Sequence, residues 1–243
     1  MRFDKTSNPA FSNYFWKDKK SSAAKMTVSG IFIKSLFCIA IIAAITVYIW
    51  GLYSAGFDME WFLYGGIISS IIISVMISYK HNWAPFLVPL YAIAKGCFLG
   101  GISSFAHAKF PNMPYQAIGV TIITFITILF LYQTRIIVVT QKLKSIIITA
   151  ASSIFLVYLI SWILNFFGIP SFIWGTSLIA IAFNVIAAIV ASLTLLLDFQ
   201  YIERQKGRAP KSKEWLATWG LLVSLVWLYV EILRLMKKLA IRY

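Results

Sequence analysis

Residues 193–239 read "LTLLLDFQYIERQKGRAPKSKEWLATWGLLVSLVWLYVEILRLMKKL". An apolar run breaks on Asp198, a basic stretch follows, and a second apolar run carries Glu231 in its interior. Each run is as long as a membrane span, which needs about 20 apolar residues. The fold class turns on whether these are spans or soluble core helices, and the rest of the chain answers that.

The chain has 243 residues, 60% of them hydrophobic and only 12% charged. Soluble domains run nearer 25% charged. Apolar segments of spanning length fall at 29–53, 61–79, 84–106, 115–134, 145–168, 172–197 and 215–236. Short loops join them, and Pro111, Pro114, Pro170 and Pro210 fall in those loops as helix breakers. The expectation is an all-α integral membrane protein, a seven-transmembrane-helix bundle. It divides into a polar, basic cytoplasmic tail over 1–26 and a membrane domain over 27–243. The first twenty-five residues contain no apolar stretch of the kind a cleavable signal needs.

The formal net charge is +14. In a membrane protein this reflects basic loops that set orientation, and no nucleic-acid partner is expected. Basic residues crowd the N-terminal tail, the loop after the fourth span (Arg135, Lys142, Lys144) and the loop after the sixth (Arg204, Lys206, Arg208, Lys211, Lys213). The N-terminus is therefore placed in the cytoplasm. Seven spans put the C-terminus outside, although it carries Arg234, Lys237, Lys238 and Arg242. Interfacial anchoring is the ordinary role of basic residues in such last turns.

Cys38 and Cys97 lie in apolar segments and read as small buried hydrophobes. His81 and His107 fall in consecutive loops, on opposite sides of the bilayer, and cannot share a metal. No nucleophile–base set, metal cluster or phosphate loop appears, so no enzyme and no resident cofactor is expected.

Ionisable residues inside a span cost about 2.5–3.5 kcal/mol each on insertion scales. Lys34 sits near the cytoplasmic end of the first span and can snorkel to the interface. Lys95 lies mid-span in "PLYAIAKGCFLGGISS", beside Gly96, Gly100 and Gly101, small residues that let helices approach closely. It reads as a member of an ion pair or as a pore-lining residue. Glu231 has a local partner in Arg234 at i+3. Its sharper reading is to face Asp198 between the last two helices. Two carboxylates in one dry site cannot both ionise cheaply and titrate as a coupled pair. Lys80 and Lys95 are the candidate supporting cations. Counted up from the turn at 208–213, the two acids differ in height by about 9 Å, which tilt or an irregular helix start would have to absorb.

The motifs "SNPAFS", "MTVSGIFIKS", "PLYAIAKGCFLGGISS" and the C-terminal stretch quoted above resemble the Bax inhibitor-1 family, most closely its bacterial branch with a long N-terminal tail. The resemblance spans essentially the whole chain. It implies a multi-pass protein of the bacterial inner (plasma) membrane. It also implies a pH-sensing latch of two acids on the last two helices, accompanied by calcium leak. By position the acids correspond to Asp198 and Glu231, and a supporting basic residue at the end of helix two corresponds to Lys80. Any Ca2+ held by Asp198 and Glu231 would be weak and transient, because four carboxylate oxygens fall short of the six to eight calcium takes. The motif often has an acid where Lys95 stands, which implies a less acidic path here. Some relatives look instead like non-conducting regulators that bind other membrane proteins, such as quality-control proteases. The tail "MRFDKTSNPAFSNYFWKDKKSSAAK" suits a protein partner, anionic lipid or a simple positive-inside anchor. A proton-coupled transporter is disfavoured, since broken-helix signals do not recur in two halves.

Overall fold

The structure, a computed structural model, describes residues 24–242. Interactions expected of the tail before Ala24 lie outside the described residues. Seven helices are long and apolar enough to cross a membrane. They are α1 (Val28–Ser54), α2 (Glu60–Tyr79), α3 (Ala84–Lys109), α4 (Met113–Gln133), α5 (Gln141–Phe166), α6 (Leu178–Gln205) and α7 (Glu214–Arg242). Backbone N–H and C=O groups in hydrocarbon must be satisfied within the segment, and the helix does this.

Several boundaries differ from the hydropathy reading, most of all in the last two helices, where α6 runs on to Gln205 instead of ending at 197. The sixth span starts at Leu178 instead of 172, because Phe172–Trp174 forms a 3-10 turn and Gly175 is extended. Ser177 then caps the new helix, its Oγ accepting from the Ala180 N–H at 3.2 Å. The seventh helix continues to Arg242, past the apolar limit at 236. His107 belongs to the last turn of α3, not to a loop, and its ring stacks 6.1 Å from that of Trp50.

The described helices group into two compact units. One holds residues 24–111 and 200–223: α1, α2, α3, the end of α6 and the start of α7. In it α3 packs against both α1 and α2. Glycine makes this approach possible. A Cβ on Gly96 or Gly100 would stand 2.7 or 2.8 Å from the Cβ of Ile45 or Ile49 on α1. Gly101 lies as close to Leu63 of α2, and Gly66 of α2 lies against the α3 backbone at Phe98. The glycines of helix three thus serve packing. The buried Trp219 ring meets Tyr91 edge-on at 6.5 Å.

The chain entering α1 is tied to the segment between α6 and α7 by backbone hydrogen bonds. Met26 N donates to Ala209 O at 2.9 Å, Gly207 N to Met26 O at 3.1 Å, and Lys211 N to Ala24 O at 2.9 Å. Gly207 turns the chain with φ +70, a conformation that favours glycine.

The second unit holds residues 112–199 and 224–242: α4, α5, most of α6 and the rest of α7. Its core includes Ala151 and Ile154 of α5 and Ala187 and Val190 of α6, flanked by Tyr158, Phe183 and Trp227. Phe199 packs between the rings of Phe125 and Tyr132, at 5.7 and 5.9 Å. Ile122, Ile123, Ile126 and Phe130 of α4 point outward as an apolar face of the kind lipid covers.

Candidate functional site

Asp198 and Glu231 are both buried, each only 1% exposed. Asp198 lies two turns before the end of α6, where the helix continues past the apolar run through "FQYIERQ". Its Oδ2 accepts a hydrogen bond from Ser224 Oγ of α7 at 2.5 Å. Ser224 is itself buried. Ser224 is thus a residue of α7 that meets Asp198.

Glu231 stands two turns further along α7, about 10 Å of helical rise from Ser224. It is the hub of its own network. Its Oε2 accepts from Tyr158 OH of α5 at 2.7 Å and from Asn184 Nδ2 of α6 at 3.0 Å. Its Oε1 accepts from Trp227 Nε1 at 3.0 Å. Arg234 NH1 lies 3.6 Å from Oε1, so the local i+3 pair is formed. The Arg234 guanidinium also covers the Tyr158 ring at 4.7 Å and the Trp174 ring at 5.6 Å.

The direct Asp198–Glu231 pairing is not made. Asn184 and Asp198 are both on α6, about 21 Å apart along the helix, and each bonds to a different level of α7. A shared proton needs oxygens within about 3 Å, far less than the offset. For the same reason the two acids do not ligate one cation together. Among the described residues no three His, Cys, Asp or Glu side chains come together to hold a metal.

Lys238, one turn past Arg234 on α7, is not an interfacial anchor. It is 8% exposed, and its Nζ donates to Ile173 O at 2.6 Å, to Ala180 O at 3.2 Å and to Asn184 Oδ1. The Asn184 amide thus bridges Lys238 and Glu231. Of the four basic residues at the end of α7, Lys238 is buried and Arg234 partly so. Lys237 stays exposed, as an anchor should.

Lys80 and Lys95 belong to the other unit. Lys80 caps α2, exposed, with its Nζ 4.5 Å from the Trp83 ring. Lys95 is partly buried, its Nζ over the rings of Tyr91 at 5.4 Å and Phe98 at 5.3 Å. The partners seen for both are aromatic faces, which attract a cation through the ring quadrupole.

In that unit the chief buried acid is one the hydropathy reading passed over. Glu214, the first residue of α7, is fully buried. Its Oε1 accepts from Thr27 N at 2.9 Å and from Thr27 Oγ1 at 3.0 Å, and its Oε2 pairs with Lys34 Nζ. Thr27 in turn accepts from Gly30 N at 3.0 Å as the N-cap of α1. Gly30 leaves room for the carboxylate, which stands 2.5 Å from where a Cβ would be. Lys34 is held in an ion pair and does not snorkel freely. The sequence reading made nothing of Glu214; the local signal at this site is Thr27, placed three residues before Gly30 as an N-cap.

Curated proteins and solved structures give no match to this chain. The family model described as "Bax inhibitor 1 like" matches residues 8–241, which include all seven helices except Arg242 at the end of α7. The chain belongs to the Bax inhibitor 1 like family.

Proposed function

We propose that the protein is a pH-responsive cation leak of a bacterial inner membrane, with its N-terminus cytoplasmic, and that Asp198 and Glu231 serve in it as two separate carboxylate stations along α6 and α7. The observation that carries this reading is the placement of Asp198. It is a buried acid inside a spanning helix, joined through Ser224 to the facing helix. An acid in that setting is costly, and functional sites are where such costs are retained. Protonation would weaken its grip as an anionic acceptor, and ionisation would make it a cation ligand. The +14 net charge and the dense basic loops supply the orientation.

One carboxylate and one hydroxyl are too few oxygens to hold calcium, which takes six to eight. Passage rather than storage is what such a sparse site supports, since conduction needs weak binding. The test is calcium entry into vesicles holding the purified protein, from pH 6 to 8, for wild type, Asp198→Asn, Ser224→Ala and Glu231→Gln. Flux that varies with pH in wild type and loses that dependence in Asp198→Asn supports the reading. No flux above empty vesicles at any pH ends it. The remaining reading would then be a non-conducting regulator of membrane proteins such as quality-control proteases.

A further inference from the structure

The shell around Lys238 is unusual for a buried ammonium. Lysines inside membrane bundles ordinarily meet a carboxylate. Lys238 instead gives its three N–H bonds to three neutral carbonyl oxygens: the backbone of Ile173, the backbone of Ala180 and the side chain of Asn184. These come from the 3-10 turn after α5 and from the first two turns of α6. Negative charge reaches the shell only at second hand, through the Asn184 amide, whose Nδ2 donates to Glu231 at 3.0 Å. Converging carbonyl oxygens are how proteins replace the water around a bare potassium ion.

We propose that Ile173 O, Ala180 O and Asn184 Oδ1, backed by Glu231, form a site for a potassium-sized monovalent cation, which the protein fills with the tethered ammonium of Lys238. Ammonium and potassium are alike in charge and size, so either leaves the charge of the Glu231–Arg234 cluster unchanged. The Lys238 bonds to Ile173 and Ala180, at 2.6 and 3.2 Å, suit these ions. Calcium is the wrong guest, since it takes about six to eight oxygens, several of them charged, and this shell offers three neutral ones. The site stands on its own geometry, whether or not any ion crosses the membrane. It makes Lys238 a built-in plug, joining the end of α7 to the start of α6.

The experiment is thermal unfolding of purified full-length Lys238→Ala in detergent. It is run in potassium, sodium, choline and ethylammonium chloride at equal ionic strength, beside wild type and Lys238→Met. Ligand that binds only the folded state raises the melting temperature. Lys238→Ala should melt roughly 3 °C or more higher in potassium or ethylammonium than in choline. Sodium should be intermediate. Wild type, with the site filled by its own ammonium, should not distinguish the four salts. Lys238→Met, whose uncharged chain occupies the space, should not either. Equal melting of Lys238→Ala in potassium and choline overturns the proposal, and so does a stronger response to sodium than to potassium. Failure of Lys238→Ala to fold in all four salts overturns it as well, because a carbonyl site of this kind would be filled by the free cation.

Discussion

The Ser224 hydroxyl donates to the Asp198 carboxylate at 2.5 Å, linking α7 to α6 within one unit. An acid placed at 224 would therefore face Asp198 directly. Ser224→Asp should install a coupled carboxylate pair that wild type lacks. With one proton shared, the pair holds the helices; as pH rises the proton is lost and like charges repel. The variant should melt lower at pH 8 than at pH 5, by a margin that Asp198→Asn in the same background abolishes. Unfolding curves in detergent at the two pH values measure this. Equal melting at both would mean that residue 224 does not face Asp198.

Glu231 accepts from three neutral donors on three helices' worth of structure: Tyr158 on α5, Asn184 on α6 and Trp227 on its own helix. Glu231→Leu strands the Tyr158 and Trp227 donors and the Arg234 charge, leaves Asn184 Nδ2 only the Tyr158 hydroxyl as acceptor, and should cost about 3–5 kcal/mol. Tyr158→Phe removes two hydrogen bonds, the one its hydroxyl donates to Glu231 and the one it accepts from Asn184 Nδ2 at 3.1 Å, and should cost about 1–3 kcal/mol. The double variant should lose less than the sum of the two single losses, since both side chains belong to one network. Additive losses in a double-mutant cycle would contradict the network.

Lys34 is the countercharge of a fully buried carboxylate. Lys34→Met leaves Glu214 ionised and unpaired, at a cost of about 3 kcal/mol or more. Adding Glu214→Gln should recover most of that loss, because a glutamine oxygen can still accept from the Thr27 N–H at the start of α1. Thermal melts of the two variants decide it. If Lys34→Met melts with wild type, the lysine contributes nothing to the fold.

Gly65 and Gly66 are neighbours on α2 with opposite surroundings. A Cβ on Gly66 would stand 2.5 Å from the Phe98 backbone nitrogen, whereas one on Gly65 meets nothing within 4 Å. Gly66→Ala should push α2 off α3 and cost about 1–3 kcal/mol. Gly65→Ala should be neutral or gain up to about 1 kcal/mol from helix propensity. Matching melting temperatures for the pair would show that α2 and α3 do not pack as closely as the structure has them.

Seven spans and their approximate limits were legible in the sequence because hydropathy is local. Each segment must be apolar enough for lipid and long enough to cross it, whatever its neighbours do. Asp198 and Glu231 stood out for a related reason: a charge in such a segment is costly and rare. The glycines around Lys95 likewise announced close helix packing, and α3 uses them against α1 and α2.

Partners were another matter. Lipid is as apolar as a neighbouring helix, so an evenly apolar span does not reveal which face turns inward. Nothing local separates Ser224 from the other small polar residues of the spans. Only the register of α6 against α7, set by the turn between them and the packing of both, brings it to Asp198 and leaves Glu231 two turns away. Glu214 and Lys34 are 180 residues apart in the chain, and Lys34 read by itself as a snorkelling base. Lys238 read as an interfacial anchor until the start of α6 and the preceding turn supplied its carbonyl oxygens. Composition and spacing determined that this chain crosses a membrane seven times and where it carries charge. Which charges meet, and which are answered by carbonyls, hydroxyls or rings, was decided by tertiary contacts between helices, because a helix face acquires its meaning only from what packs against it.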